Sequence, residues 1–284
     1  MRYKGALTIK DTAVVLSCII FLFATLGAVG SVGRERAKRL VCLSNLKQLT
    51  AAWNLYTDEN DDRIVNGEAY YEPGGAPAAP VPTSGRHLGE RYWTGNDCAS
   101  NFMLGEQLPQ HIQIQAIRAG ALYPYCGTEK LYRCPSGIRG QMRTYSIVDS
   151  MNGFARSGTI SGNVGVRVGN TVLWVKKKSE IIDPSPAYRI VFLDEGRVTP
   201  DSYAVHYNDP PTQWWDPPPV RHNDGATLSF ADGHTEYWKW KGRDTIAAGK
   251  MTNPMHQFQP VTAAGREDLH RMQIAVWGRL GYTP

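Results

Sequence analysis

The stretch AVVLSCIIFLFATLGAVG, Ala13 to Gly30, runs through Ser31, Val32 and Gly33 into RERAKRLVCLSNLKQLTAAWNLY, Arg34 to Tyr56. No proline interrupts it, so it is expected to form one helix of about 45 residues, roughly 70 Å long at 1.5 Å per residue. The first half is long and apolar enough to cross a bilayer, over about residues 12–32. The second half, over about residues 33–57, is amphipathic: Leu40, Leu43, Leu46, Trp53 and Tyr56 recur at helical spacing among Asn45, Lys47, Gln48 and Asn54. A helix that starts in lipid and ends in water is an anchor with a stalk, and the apolar stripe of the stalk is expected to lie against a sheet.

The chain has 284 residues and a formal net charge of +5. Between Met1 and Lys47, eight basic residues (Arg2, Lys4, Lys10, Arg34, Arg36, Lys38, Arg39 and Lys47) face Asp11 and Glu35, a balance of +6. Of the totals of 31 basic and 26 acidic residues, 23 and 24 remain beyond that stretch, a balance of −1. All of the basicity belongs to the membrane-flanking helix, and the rest of the chain lacks the footprint of a nucleic-acid binder. With 42% hydrophobic and 10% aromatic residues overall, residues 58–284 can fill a core.

Three readings of the N-terminus are open. A cleaved secretory signal would use AVGSVG as its small-residue site, and an uncleaved signal anchor needs only the apolar run. The third rests on the leader MRYKGA, residues 1–6, which is short and basic and precedes LTIKDTAVVL. This resembles the processing site of type IV prepilins and type II secretion pseudopilins, where a small residue, usually Gly, precedes an apolar residue, Thr, two further residues and an acid. The resemblance puts Ala6 before the cut, or Gly5 if the cut falls one residue earlier, and Leu7, Thr8, Ile9, Lys10 and Asp11 after it. The chain departs from the pattern in having Ala6 for Gly, Lys10 for an apolar residue and Asp11 for Glu. A carboxylate at the edge of the bilayer core needs a partner. In a filament of packed helices the N-terminal ammonium of a neighbouring subunit supplies one, which makes Asp11 the expected assembly residue. A local role at the helix N-terminus is the alternative. The basic leader favours a cytoplasmic N-terminus, a single-pass anchor and an exported C-terminal part, although Arg34, Arg36, Lys38 and Arg39 oppose it.

Further blocks extend the resemblance. RAKRLVCLSNLKQLTAAWNLYTDENDDRIV, LYPYCGTEKLYRCPSG, YSIVDSMNG, RIVFLDE and RHNDGATLSFADGHTEYWKW follow one another in the order seen in a large family of pilin-like proteins. That family joins a prepilin-type N-terminus to a C-terminal motif of His, nine residues and Asp-Gly, here His222, Asp232 and Gly233. The resemblance implies an α+β, pilin-like fold in which the long N-terminal helix packs on an antiparallel β-sheet. It implies three parts: a leader (1–6), the helix (7–57) and an exported β-rich domain with loop insertions (58–284). It also implies a structural subunit of a pilus or pseudopilus linked to secretion or surface attachment, cleaved and N-methylated by a prepilin peptidase. Self-association through the first helix and contact with the secretion or pilus assembly machinery follow. The alternative is a membrane-tethered extracytoplasmic module binding a glycan or protein ligand without filament formation. No cofactor is expected, and no nucleophile stands at recognisable spacing from a base, so no enzymatic activity is expected.

The remaining motifs are read from their residues. ATLSFAD and TEYWKW alternate about Asp232-Gly233 and predict a β-hairpin with an aromatic face. His222, Asp224, Asp232 and His234 offer imidazole and carboxylate ligands, while the structural reading makes Asp232-Gly233 the turn and has His222 bonding nearby backbone. Asp58, Asp61 and Asp62 cluster after the helix without EF-hand spacing, and a solvated turn is expected there. TVLWVKKK and YRIVFLDE read as strands, and Asp194 and Glu195 at the end of the second would join a site if the fold brought His206 or His222 to them. Of the five cysteines, Cys18 lies in the apolar run. Cys126 and Cys134 flank a turn and are the candidate disulfide, with Cys42 and Cys98 as competing partners. YEPGGAPAAPVPTSG, Tyr71 to Gly85, reads as an irregular loop. Trp214 and Trp215, between prolines, are candidates either for ligand stacking or for packing over the hairpin aromatics.

Overall fold

The computed structural model describes residues 8–154, 167–207, 213–251 and 257–282; the side chains of residues 22–29, 31 and 103 lie outside the described set. So do Gly5, Ala6 and Leu7, the expected processing site.

A single helix, α1, spans Ile9–Glu59. It begins at Ile9 because Thr8 and Asp11 form a capping box. Thr8 Oγ1 accepts the Asp11 N–H at 3.3 Å, and Asp11 Oδ2 accepts the Thr8 N–H at 2.9 Å. It ends where Asp61 and Asp62, at φ of 53° and 66°, turn the chain away. Over its first turns its apolar side chains are open: Ile9, Val14, Val15, Leu16, Ile19, Ile20 and Phe21 are all exposed among the described residues. Among the described residues no helix is long and apolar enough to cross a membrane. The crossing expected over 12–32 includes the positions whose side chains are not described.

From Glu35 onward α1 enters the globular part. Cys42, Leu46, Leu49 and Trp53, spaced four, three and four residues apart, are fully buried, the period of one helix face. Leu40, expected in this stripe, is 65% exposed. At about 100° per residue it sits ~160° around the helix from Cys42. Leu43 is half-buried and on the margin.

The remaining elements are β1 (Asn66–Ala69), β2 (Tyr92–Thr94), α2 (Gln110–Ala119), α3 (Tyr123–Cys126), β3 (Tyr145–Ile147), β4 (Arg167–Val168), β5 (Thr171–Val172), β6 (Ile190–Asp194), β7 (Gly225–Phe230), β8 (Thr235–Lys239), α4 (Arg243–Gly249) and α5 (Ala263–Trp277). The class is α+β. Its central sheet has the order β3-β6-β7-β8 and is antiparallel throughout, with Ser146 opposite Leu193, Leu193 opposite Leu228 and Thr227 opposite Tyr237. Both faces of the sheet are covered. Thr227, Ser229 and Tyr237 face α1: Thr227 Oγ1 is 2.9 Å from Cys42 Sγ, Ser229 Oγ accepts from Thr50 Oγ1 at 2.7 Å, and the Tyr237 ring lies 4.3 Å under the Arg39 guanidinium. By strand alternation, Ala226, Leu228, Phe230 and Trp238 point the other way, where α5 lies; Arg271 of α5 sits 3.7 Å over the Trp238 ring. Small polar side chains on the α1 face let the helix approach the backbone closely, and the aromatic side of the hairpin serves the opposite layer.

One expectation changes. TVLWVKKK contributes only the two-residue β5, paired with β4, while Leu173, Trp174 and Val175 are buried in irregular chain outside the central sheet. Its side chains fill the core without alternating, which a ladder would require. The hairpin itself is as expected, with Gly233 at φ 95° and its N–H bonded to the Phe230 carbonyl at 2.8 Å. Residues 71–85 contain no helix or strand.

Candidate functional site

Four buried side chains from four separate segments converge where α1 meets the sheet. Cys42 comes from the buried face of α1. Cys134 opens a tight turn, Cys-Pro-Ser-Gly, closed by the Gly137 N–H on the Cys134 carbonyl at 2.9 Å, with Pro135 at the position whose φ proline presets. Asp194 is the last residue of β6, opposite Tyr145. His222 begins a three-residue left-handed loop, with φ of 47°, 65° and 68° at His222, Asn223 and Asp224. Such positions cost on the order of 1–3 kcal/mol each in non-glycine residues. The loop is held by reciprocal backbone bonds between Arg221 and Gly225, 2.6 and 2.9 Å, and by Tyr237 Oη, which donates to the carbonyls of His222 at 2.7 Å or Asn223 at 2.8 Å. Gly225 is required at its end, because a Cβ there would lie 2.2 Å from the Trp238 carbonyl. The strained loop turns the His222 ring inward.

His222 Nε2 is 3.1 Å from Cys134 Sγ and 3.8 Å from Asp194 Oδ2. Cys42 Sγ is 3.6 Å from the same carboxylate oxygen. One donor atom from each of Cys42, Cys134, Asp194 and His222 lies within 4.8 Å of all the others. Around them, His222 Nδ1 is 2.9 Å from Glu35 Oε1, the Ser136 N–H donates to Cys134 Sγ at 3.4 Å, and Tyr145 Oη donates to Cys42 Sγ at 3.3 Å. Asp194 Oδ1 is buried without a hydrogen bond, and Arg221 Nε is 4.0 Å away. A hydrogen bond with Cys42, together with burial, pushes the Cys134 thiol far above its usual range. Burial opposes charge on His222, but Cys134, Asp194 and Glu35 outweigh it and hold the imidazole above its ordinary value.

The sequence makes Asp194 a candidate partner of His222, and the fold brings them together. The sequence offers Cys42 and Cys134 only as disulfide partners and Glu35 only as a charge beside the basic residues of α1. The signal for Cys42 was its place four residues before Leu46 and seven before Leu49, on the buried face. The candidate Cys126–Cys134 bridge is absent: both are free thiols. Cys126 accepts from Tyr132 Oη at 3.7 Å, and burial lifts its thiol to about 11, while Cys134 faces the imidazole.

The expected backbone bond to His222 is replaced by contacts of its ring with Glu35 and Cys134. His222 and Asp232 do not meet. β7 separates them, and its six residues span ~20 Å at about 3.4 Å per residue, so the nine-residue spacing is the length of a strand with its end loops. Asp232 instead accepts the His234 N–H at 3.1 Å and lies 2.6 Å from His234 Nδ1 at the exposed turn. Asp224 pairs with Lys250. Asp62 accepts from Ser179, and among the described residues no donor cluster forms at Asp58, Asp61 and Asp62. Trp214 is fully buried and packs edge-on against Trp240, centroids 5.8 Å apart, which removes it as an exposed ligand platform. Trp215 is half-buried against His206.

The Cys134–His222 contact has the elements of a nucleophile and a base. Cys134 is fully buried and its thiol is pushed up, conditions that disfavour a thiolate nucleophile. The donor types, two sulfurs, one imidazole nitrogen and one carboxylate oxygen, are those of a coordination site. Comparison with known proteins found no matching family profile, no matching curated protein and no matching solved structure.

Proposed function

We propose that the chain is a pilin-like or pseudopilin subunit, anchored by the first half of α1 in the cell membrane, with its globular part displayed outside. The observation that supports this reading is one uninterrupted helix whose halves have opposite surroundings. From Ile9 to about Arg34 the helix is ~39 Å long at 1.5 Å per residue, and its described apolar side chains, Ile9, Val14, Val15, Leu16, Ile19, Ile20, Phe21 and Val32, are exposed. That length exceeds the roughly 30 Å of a bilayer core. From Glu35 to Glu59 the same helix forms part of the core. Exposed apolar side chains at this density on Ile9–Phe21 call for lipid or neighbouring helices around them. On this reading the helix is laid on an antiparallel sheet as in pilins, and the role is structural: α1 anchors the subunit, associates with its neighbours and connects them to the secretion or pilus assembly machinery.

The test is the N-terminal residue of protein taken from its native membrane, read by mass spectrometry. A chain starting at Leu7 or Ala6 with an N-methyl group is expected, because the leader then has been removed by a prepilin peptidase. An intact Met1 or a start near Ser31 would overturn the pilin-like reading in favour of a tethered or released binding module.

A further inference from the structure

We propose that Cys42, Cys134, Asp194 and His222 form a tetrahedral structural zinc site that clamps the anchor helix to the central sheet. This does not depend on whether the subunit forms filaments.

The spacing of the four donor atoms suits an ion held between them. With metal–sulfur bonds of about 2.3 Å and metal–nitrogen or metal–oxygen bonds of about 2.0–2.2 Å, the ligand atoms of a tetrahedral zinc stand roughly 3.4–3.8 Å apart. Three of the six separations, 3.1, 3.6 and 3.8 Å, fall within half an ångström of that range, and all six are within 4.8 Å. All four residues are buried, Cys42, Cys134 and Asp194 completely and His222 to 3% exposure, so the site is closed, as structural rather than catalytic zinc sites are.

The surroundings fit the same ion. Glu35 at His222 Nδ1 fixes that nitrogen as the protonated one and leaves the Nε2 lone pair facing the centre, the carboxylate–histidine–metal arrangement. The Ser136 N–H and the Tyr145 hydroxyl donate to the two sulfurs, as donors to thiolates do. Binding releases the two thiol protons to solvent. Two thiolates and the Asp194 carboxylate then exceed the charge of the ion by one, and Arg221, 4.0 Å from the otherwise unbonded Asp194 Oδ1, supplies the balance. The left-handed strain at His222 also finds a purpose, since the loop is bent at the one residue that must aim a nitrogen inward.

The experiment uses the full chain in detergent, stripped with a chelator, reloaded with zinc and gel-filtered, with metal counted by mass spectrometry. Wild type and Cys126→Ser are expected to retain about one zinc per chain, and Cys134→Ser at least tenfold less. Zinc should raise the melting temperature of the stripped wild type, whereas magnesium should not. Cobalt(II) in its place should give thiolate-to-metal charge-transfer absorption and the strong visible bands of a tetrahedral ion. Should Cys134→Ser fail to fold, Glu35→Ala, on the outer and partly exposed side, carries the test, with zinc affinity expected to fall about 10–100-fold. The proposal is overturned if the reloaded wild type keeps no stoichiometric zinc, if the cobalt form lacks the charge-transfer band, if Glu35→Ala binds zinc unchanged, or if peptide mapping finds Cys42 and Cys134 joined as a disulfide.

Discussion

Glu90 shows how a single carboxylate can tie distant parts of the chain together. Burial would raise its pKa, but hydrogen bonds from His87 at 3.0 Å, Lys176 at 2.7 Å and Asn152 at 3.0 Å outweigh that and hold it at about 2. A carboxylate whose folded pKa lies below its unfolded value of about 4.5 adds stability that is complete above that value and is lost as pH falls towards 2. The shift corresponds to at most about 3 kcal/mol. Glu90→Gln is therefore expected to lower the melting temperature at pH 7, and the gap from wild type should narrow below pH 4.5 and close towards pH 2. A gap independent of pH would show that the three donors contribute by shape and not by charge. None of these contacts was legible in the sequence, because His87, Lys176 and Asn152 belong to segments with no shared pattern. His222 was the opposite case. Its motif drew attention to it, yet its partners Cys42, Cys134 and Asp194 lie 180, 88 and 28 residues away, and only the folded chain says which of many such residues meet.

At the scale of elements, the burial face of α1 separates what the sequence pattern could tell from what it could not. That α1 is one helix with a sheet-facing stripe followed from periodicity, and the β7–β8 hairpin followed from alternation about Asp232-Gly233. The orientation of the stripe did not follow, because Leu40, Leu43, Leu46 and Leu49 are equally apolar and the partner surface selects among them. Thr227 and Ser229 leave room for the Cys42–Leu46–Leu49–Trp53 face, so Leu40 is left in solvent. Leu46→Ala should accordingly cost about 2–5 kcal/mol, and Leu40→Ala should stay within about 0.5 kcal/mol of wild type, both by denaturant unfolding of the detergent-purified chain. Equal effects would mean that the helix lies on the sheet by another face. Helix α5 carries a signal in the sequence: Leu269, Met272, Val276 and Trp277 are buried at helical spacing behind a Thr262 cap.

For the whole molecule, α1 joins a stretch of exposed apolar side chains, Ile9–Phe21, to a domain that buries its Cys42–Leu46–Leu49–Trp53 face. On the proposed reading, any load on the first half of α1 passes through the contacts around Glu35 to Trp53. Asp11 stands at the other end, and two accounts of it differ in consequence. Its Oδ2 accepts from the Thr8 N–H and hydroxyl at 2.9 and 2.7 Å, which makes it a local cap worth on the order of 1 kcal/mol to the helix start. In an assembly it would also offer its charge to the ammonium of the next subunit, where an unpaired carboxylate at the bilayer edge is costly. Asp11→Ala removes both functions, whereas Asp11→Asn keeps an acceptor for Thr8 and removes only the charge. Membrane insertion is expected to survive both substitutions, since neither alters the apolar run. If the charge serves assembly, both variants should lose incorporation into cross-linkable oligomers in the native membrane. Oligomers that form normally with Asp11→Asn and fail only with Asp11→Ala would assign Asp11 to the cap alone and leave the exposed apolar surface of Ile9–Phe21 as the sole source of helix association.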